Sequence, residues 1–70
     1  MKVRFQILQG GEVVRDAEVW APTPYSILHE ILQVNEVDYN PTRFYERGGW
    51  ICFRKLDMVY RVMNSRQFIS

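Results

Sequence analysis

The feature that most constrains this chain is a Gly-Gly pair, Gly48-Gly49, set between two runs of strand-forming residues. Two adjacent residues free to adopt positive φ are what a two-residue β-hairpin turn requires. With the loop at Gly48-Gly49, Arg47 faces Trp50, Glu46 faces Ile51, Tyr45 faces Cys52, Phe44 faces Phe53 and Arg43 faces Arg54. Side chains alternate between the two faces of a strand. One face then gathers Phe44, Ile51 and Phe53, and the other gathers Arg43, Tyr45, Arg47, Trp50, Cys52 and Arg54. A second turn at Leu56-Asp57 pairs Phe53 with Tyr60 and Ile51 with Val62. It adds Met58, Tyr60 and Val62 to the apolar face, and Val59, Arg61 and Met63 to the other. Both turns, read independently, put the apolar residues on one side, and a slip of one residue would invert every face.

The first half of the chain supplies a partner for this meander. Val3, Phe5 and Ile7 alternate with Lys2, Arg4 and Gln6, as in a half-buried strand. Gly10-Gly11 turns the chain into a second run, Glu12 to Trp20. A two-residue loop there would set Phe5 against Asp16. A three-residue loop, Gln9-Gly10-Gly11, pairs Ile7 with Val13, Phe5 with Arg15 and Val3 with Ala17, and sets Arg4 against Asp16 and Lys2 against Glu18. The longer loop groups apolar residues and makes two cross-strand ion pairs, so it is the expected one, with Arg15 as a misfit near an edge. Thr23 and Pro24 then have the character of a helix N-cap and first helical residue. Ile27, Leu28, Ile31, Leu32 and Val34 form one apolar stripe, and Asn35 stops the helix. Asn40-Pro41 marks a turn in the connector, and Gln67 to Ser70 is expected to dock, as an edge strand.

The expected architecture is α+β, a single small domain over residues 1–70 in the order ββαβββ, with one helix on one face of a largely antiparallel sheet. A hairpin followed by a helix and further strands resembles the ubiquitin-like β-grasp order. The resemblance is of order alone and carries no function. It implies a mixed sheet in which the first strand pairs in parallel with a late one, Met58 to Met63.

Charge is divided along the chain. Residues 1–40 carry three cations against six carboxylates, net −3, and residues 41–70 carry six cations against two, net +4. Such a split suits a molecule with one face for an anionic partner, or internal complementarity between its halves. The total of +1 is small for a dedicated nucleic-acid binder. Cys52 is the only cysteine, so no internal disulfide forms. The N-terminus opens directly into a strand pattern with no apolar leader, and no run is long enough for a membrane span. The expected location is the cytoplasm.

Chemistry is sparse. His29 has no orienting partner among its helical neighbours. Cys52 lies among arginines without a histidine beside it. One histidine, one cysteine and scattered carboxylates do not make a metal site, and neither Gly-Gly pair is followed by a helix as a phosphate loop requires. No enzyme and no cofactor are expected. The sequence points instead to an interaction module, an adaptor, inhibitor or assembly subunit, that meets an acidic protein surface through Arg43, Tyr45, Arg47, Trp50, Arg54 and Arg61. The alternative is a nucleic-acid-binding domain using the same arginines and rings for phosphates and bases. Leftover apolar residues leave a homodimer open, by edge pairing of the last strand.

Overall fold

The glycine pairs do turn the chain, and both do so in two residues. Gly10 and Gly11 take φ of +57° and +84°, and Gly48 and Gly49 take +58° and +84°. The structure is a computed structural model and describes residues 1–64. It contains strands β1 (Lys2–Gln9) and β2 (Glu12–Trp20), helix α1 (Pro24–Val34), a 3₁₀ turn (Pro41–Arg43), and strands β3 (Tyr45–Arg47), β4 (Trp50–Lys55) and β5 (Met58–Met63). The strands form one five-stranded sheet in the order β2-β1-β5-β4-β3, and every neighbouring pair is antiparallel. The α+β class and the ββαβββ order are therefore as expected, with a single helix packed on a wholly antiparallel sheet.

The strand predicted to meet β1 is the one that does, but the direction is reversed. Phe5 opposes Val62 and Ile7 opposes Tyr60 in an antiparallel ladder, where a β-grasp order requires a parallel one. Alternation alone cannot set direction, because either arrangement turns Phe5 and Ile7 to the core.

The first hairpin corrects the expected register. Gln9 opposes Glu12 across a two-residue loop, Leu8 opposes Val13, and the register then shifts so that Ile7 opposes Arg15 and Phe5 opposes Ala17. A β-bulge in β2 absorbs one residue. The bulge brings Val19 opposite Val3, and it leaves Glu18 opposite Arg4 and Trp20 opposite Lys2. Asp16 still reaches Arg4 diagonally, with Arg4 Nη2 at 2.7 Å from its carboxylate. Arg15 is the misfit anticipated. It is exposed on edge strand β2, and its guanidinium lies 5.9 Å from the Phe5 ring.

Thr23 caps α1, its Oγ1 accepting from the Ser26 amide at 3.2 Å, and Pro24 fills the first turn. Asn35 closes the helix, its side-chain amide donating to the Ile31 carbonyl at 2.8 Å. Ile27, Leu28, Ile31 and Leu32 are buried against Val3, Phe5, Ile7, Ile51, Phe53, Tyr60 and Val62. Val34, expected in the stripe, is 74% exposed, since it ends the helix beyond the sheet contact. Leu28, Leu32 and Val62 are wholly inaccessible and mark the centre of the core. Because β2 and β3 are the two edges, the α1 connection carries the chain from one side of the sheet to the other over a single face. No described element covers the opposite face.

Candidate functional site: the open face of the sheet

The uncovered face is read off the register. Asp16 opposes Gln6, Gln6 opposes Arg61, Arg61 opposes Cys52 and Cys52 opposes Tyr45, one row running across all five strands. At its left end the row is a hydrogen-bonded chain. Arg4 Nε and Nη2 donate to the two oxygens of Asp16 at 3.0 and 2.7 Å. Gln6 Nε2 donates to Asp16 Oδ2 at 3.1 Å, and Gln6 Oε1 accepts from Arg61 Nε at 3.0 Å and from Arg61 Nη2. The Arg61 guanidinium then lies 4.2 Å from the centre of the Trp50 ring, within cation–π range. Gln6 is only 7% exposed, and its two ends link the early hairpin to the late meander. The hydrogen bonds from Arg4 and then Gln6 hold the Asp16 carboxyl at about 2, below its ordinary 3.8.

To the right of Arg61 the face is basic. Tyr45, Arg47, Trp50 and Arg61 surround a shallow hollow of about 400 Å³, floored by Cys52 and bordered by Leu8 and Val59. Arg54 lies on the same face, opposite Val59. The sequence reading thus places five of its six candidate residues on one surface. Arg43 departs from it. Expected opposite Arg54 in a strand, it stands in the Pro41–Arg43 turn, and β3 begins only at Tyr45. Pro41 and Asn40 account for this. The Asn40 side chain accepts from the Thr42 amide at 3.1 Å and the Thr42 hydroxyl at 3.0 Å, which curls the chain before it can extend. Arg43, Tyr45 and Arg54 nevertheless line a second hollow, of about 480 Å³, at the end of β3.

Among the described residues the only ion pair within 4 Å is Arg4 with Asp16. Arg43, Arg47, Arg54, Lys55 and Arg61 therefore have no carboxylate that close, although Arg61 has its glutamine and its ring. The sequence's acidic and basic halves meet only in part. Asp16 on β2 is joined to Arg61 on β5 through Gln6, and Asp38 lines the hollow beside Arg43, Arg54 and Lys55, whereas Glu12 and Glu18 stay on β2, at the sheet edge opposite Arg47 on β3.

Cys52 and His29 are on opposite faces, separated by the sheet. Cys52 is 4% exposed, and burial pushes its thiol up, against the opposing pull of Arg61 and Arg47. His29 belongs to an aromatic cluster that sequence reasoning missed. Its Nδ1 is 2.8 Å from Tyr39 Oη, and its ring lies 5.5 Å from Tyr39 and 5.3 Å from Phe44. Gln33 donates to the same Tyr39 hydroxyl at 3.3 Å, so the connector is pinned to the helix. The signal lay in Tyr39 and Phe44, which flank the Asn40-Pro41 turn; only a contact across the connector makes it legible. A cleft of about 440 Å³ between α1 and β2, lined by Phe5, Val19, Trp20, Ile31 and Val34 together with Arg15, Glu30 and Asn35, was not anticipated either.

Among the described residues no group of three or more histidine, cysteine, aspartate or glutamate side chains could hold a metal ion, and no helix is long and apolar enough to cross a membrane. The expected docking of Gln67–Ser70 and the dimer built on it lie outside the described residues. Set against protein-family models, curated proteins and solved structures, the chain matches none of them.

Proposed function

We propose that the protein is a non-catalytic interaction module that engages an acidic protein surface through the β3–β4–β5 end of its open sheet face. The observation that carries this reading is the set of cations there without a carboxylate within 4 Å among the described residues, gathered around Tyr45 and Trp50. Cations gathered on one surface repel one another, and an anionic partner offsets that repulsion. Aromatic residues beside arginine are also the usual anchors of interfaces. Tyr45 is 39% exposed and supplies such an anchor. A catalytic role draws no support from a buried thiol held protonated, nor from a histidine on the far side of the sheet.

The competing nucleic-acid reading uses the same surface but asks more of its rings. Stacking needs free ring faces. One face of Trp50 is already occupied by Arg61, which leaves Tyr45 as the open platform. This favours a protein partner. The test is fluorescence anisotropy of a labelled glutamate-rich peptide, with unlabelled single-stranded RNA as competitor. Saturable, salt-sensitive binding is expected, weakened about tenfold or more when Arg47 and Trp50 are both replaced by alanine. Absence of peptide binding, or RNA binding far tighter than peptide, would overturn the reading.

A further inference from the structure

β4 is twice as long as β3, its neighbour at the sheet edge. It runs Trp50–Lys55, whereas β3 runs only Tyr45–Arg47. Trp50, Ile51 and Cys52 have partners on β3, and Phe53, Arg54 and Lys55 do not. In an antiparallel hairpin, hydrogen-bonded and non-bonded pairs alternate. Arg47 and Trp50 close the two-residue loop, and Tyr45 with Cys52 is the next bonded pair. The next bonded position on β4 is therefore Arg54, whose backbone N–H and C=O are directed at the place Arg43 would hold in a longer β3. The Asn40-Pro41 turn has taken Arg43 out of the ladder.

Cations border that vacancy. Arg43, Arg54 and Lys55 line the hollow at the end of β3 together with Tyr45 and Asn40. Arg43 and Arg54 are exposed and have no carboxylate within 4 Å among the described residues. Lys55 Nζ donates to the Asp38 backbone carbonyl at 3.0 Å, and Arg54 Nε makes a long contact to the Leu56 carbonyl at 3.4 Å. Asp38 also lines the hollow. A backbone N–H flanked by guanidinium groups is an arrangement suited to an oxyanion, which guanidinium can meet with two parallel bonds.

We propose that the gap beside Arg54 is an oxyanion seat, taking a carboxylate or a phosphate monoester carried by the acidic partner. This rests on the reading of the basic sheet end as an interaction surface and adds where the partner's charge is held. Arg43 and Arg54 grip the oxyanion, the Arg54 N–H completes its coordination, and Tyr45 forms the wall toward the open face.

The test is amide-resolved NMR of the full chain at fixed ionic strength, titrated separately with inorganic phosphate, acetate and a glutamate-rich peptide. Phosphate or acetate is expected to shift the Arg54 and Tyr45 amides saturably. Arg43→Gln should weaken that binding about threefold or more, and Arg15→Gln on the far edge should leave it unchanged. Tighter binding of phosphate than of acetate assigns a phosphoryl source, and equal binding assigns a carboxylate. No saturable shift at Arg54 with either anion, or shifts indifferent to Arg43→Gln, would overturn the seat. Peptide shifts at Arg47, Trp50 and Arg61 without Arg54 would overturn the seat and leave the wider surface standing. Anion shifts at Arg54 with no peptide binding would sustain the seat and remove the wider reading.

Discussion

Replacing Gln6 by alanine tests whether the two halves of the sheet are tied together on its open face. Gln6 is 7% exposed on β1, a strand with a neighbour on each side. Its oxygen takes two bonds from the Arg61 guanidinium and its nitrogen gives one to Asp16. A hydrogen bond to a charged group contributes roughly 1.5–3 kcal/mol when it is removed from one side only. Arg61 is half-buried, so water replaces part of what it loses. The net cost of Gln6→Ala is then about 2 kcal/mol, a fall in Tm of roughly 8–16 °C for a domain of this size. The assay is urea and thermal unfolding of four proteins: the wild type, Gln6→Ala, Arg61→Ala and the double variant. A coupling energy of about 1–2 kcal/mol between the two positions is expected. Two destabilised single variants with a coupling below about 0.5 kcal/mol would refute the link, because each side chain would then act through its own packing.

Three further outcomes follow from the same structure. The Asp16 carboxyl is lowered to about 2 from 3.8, so its stabilising interactions are complete above the ordinary value and are lost as pH falls through about 2. Asp16→Asn should be less stable than wild type at neutral pH, and urea titrations of the two should converge in strong acid. Leu28 is wholly inaccessible at the helix–sheet contact, so Leu28→Ala should cost about 3 kcal/mol, read by thermal circular dichroism. Leu56 has φ +57° and is 85% exposed, so it holds a left-handed backbone with nothing gained from packing. Leu56→Asn should raise stability by about 0.5–1 kcal/mol in the same assay, since asparagine tolerates that conformation.

The sheet's later half was legible because its two turns are local and its alternation is strict. Phe53 against Tyr60 and Ile51 against Val62 are pairs a few residues apart, and the structure has both. The helix start was legible for a similar reason, since Thr23 and Pro24 act on the turn beside them. The first hairpin was not. Choosing a loop length by pairing quality assumes an unbroken ladder, and the bulge after Leu8 lets a two-residue loop coexist with apolar pairs further along. Arg43 was misplaced because strand alternation was carried past Asn40-Pro41, whose side-chain bonds favour a 3₁₀ turn. Of the candidate site, Tyr45, Arg47, Trp50, Arg54 and Arg61 were legible as one surface from the register alone. The hold of Gln6 on Arg61 spans 55 residues, and it requires knowing that β1 lies beside β5. That adjacency was implied only by the resemblance in element order, which named Met58–Met63 as the neighbour of β1 but gave the pairing the opposite direction.

The cations at the β3–β4–β5 end, which have no carboxylate within 4 Å among the described residues, are proposed to form the recognition surface. Hydrogen–deuterium exchange of the full chain, with and without a saturating glutamate-rich peptide, addresses this claim most directly. Protection is expected across residues 43–54 and at Arg61, with Glu12–Trp20 of β2 unchanged. Protection confined to β2, or an exchange pattern the peptide does not alter, would contradict the claim.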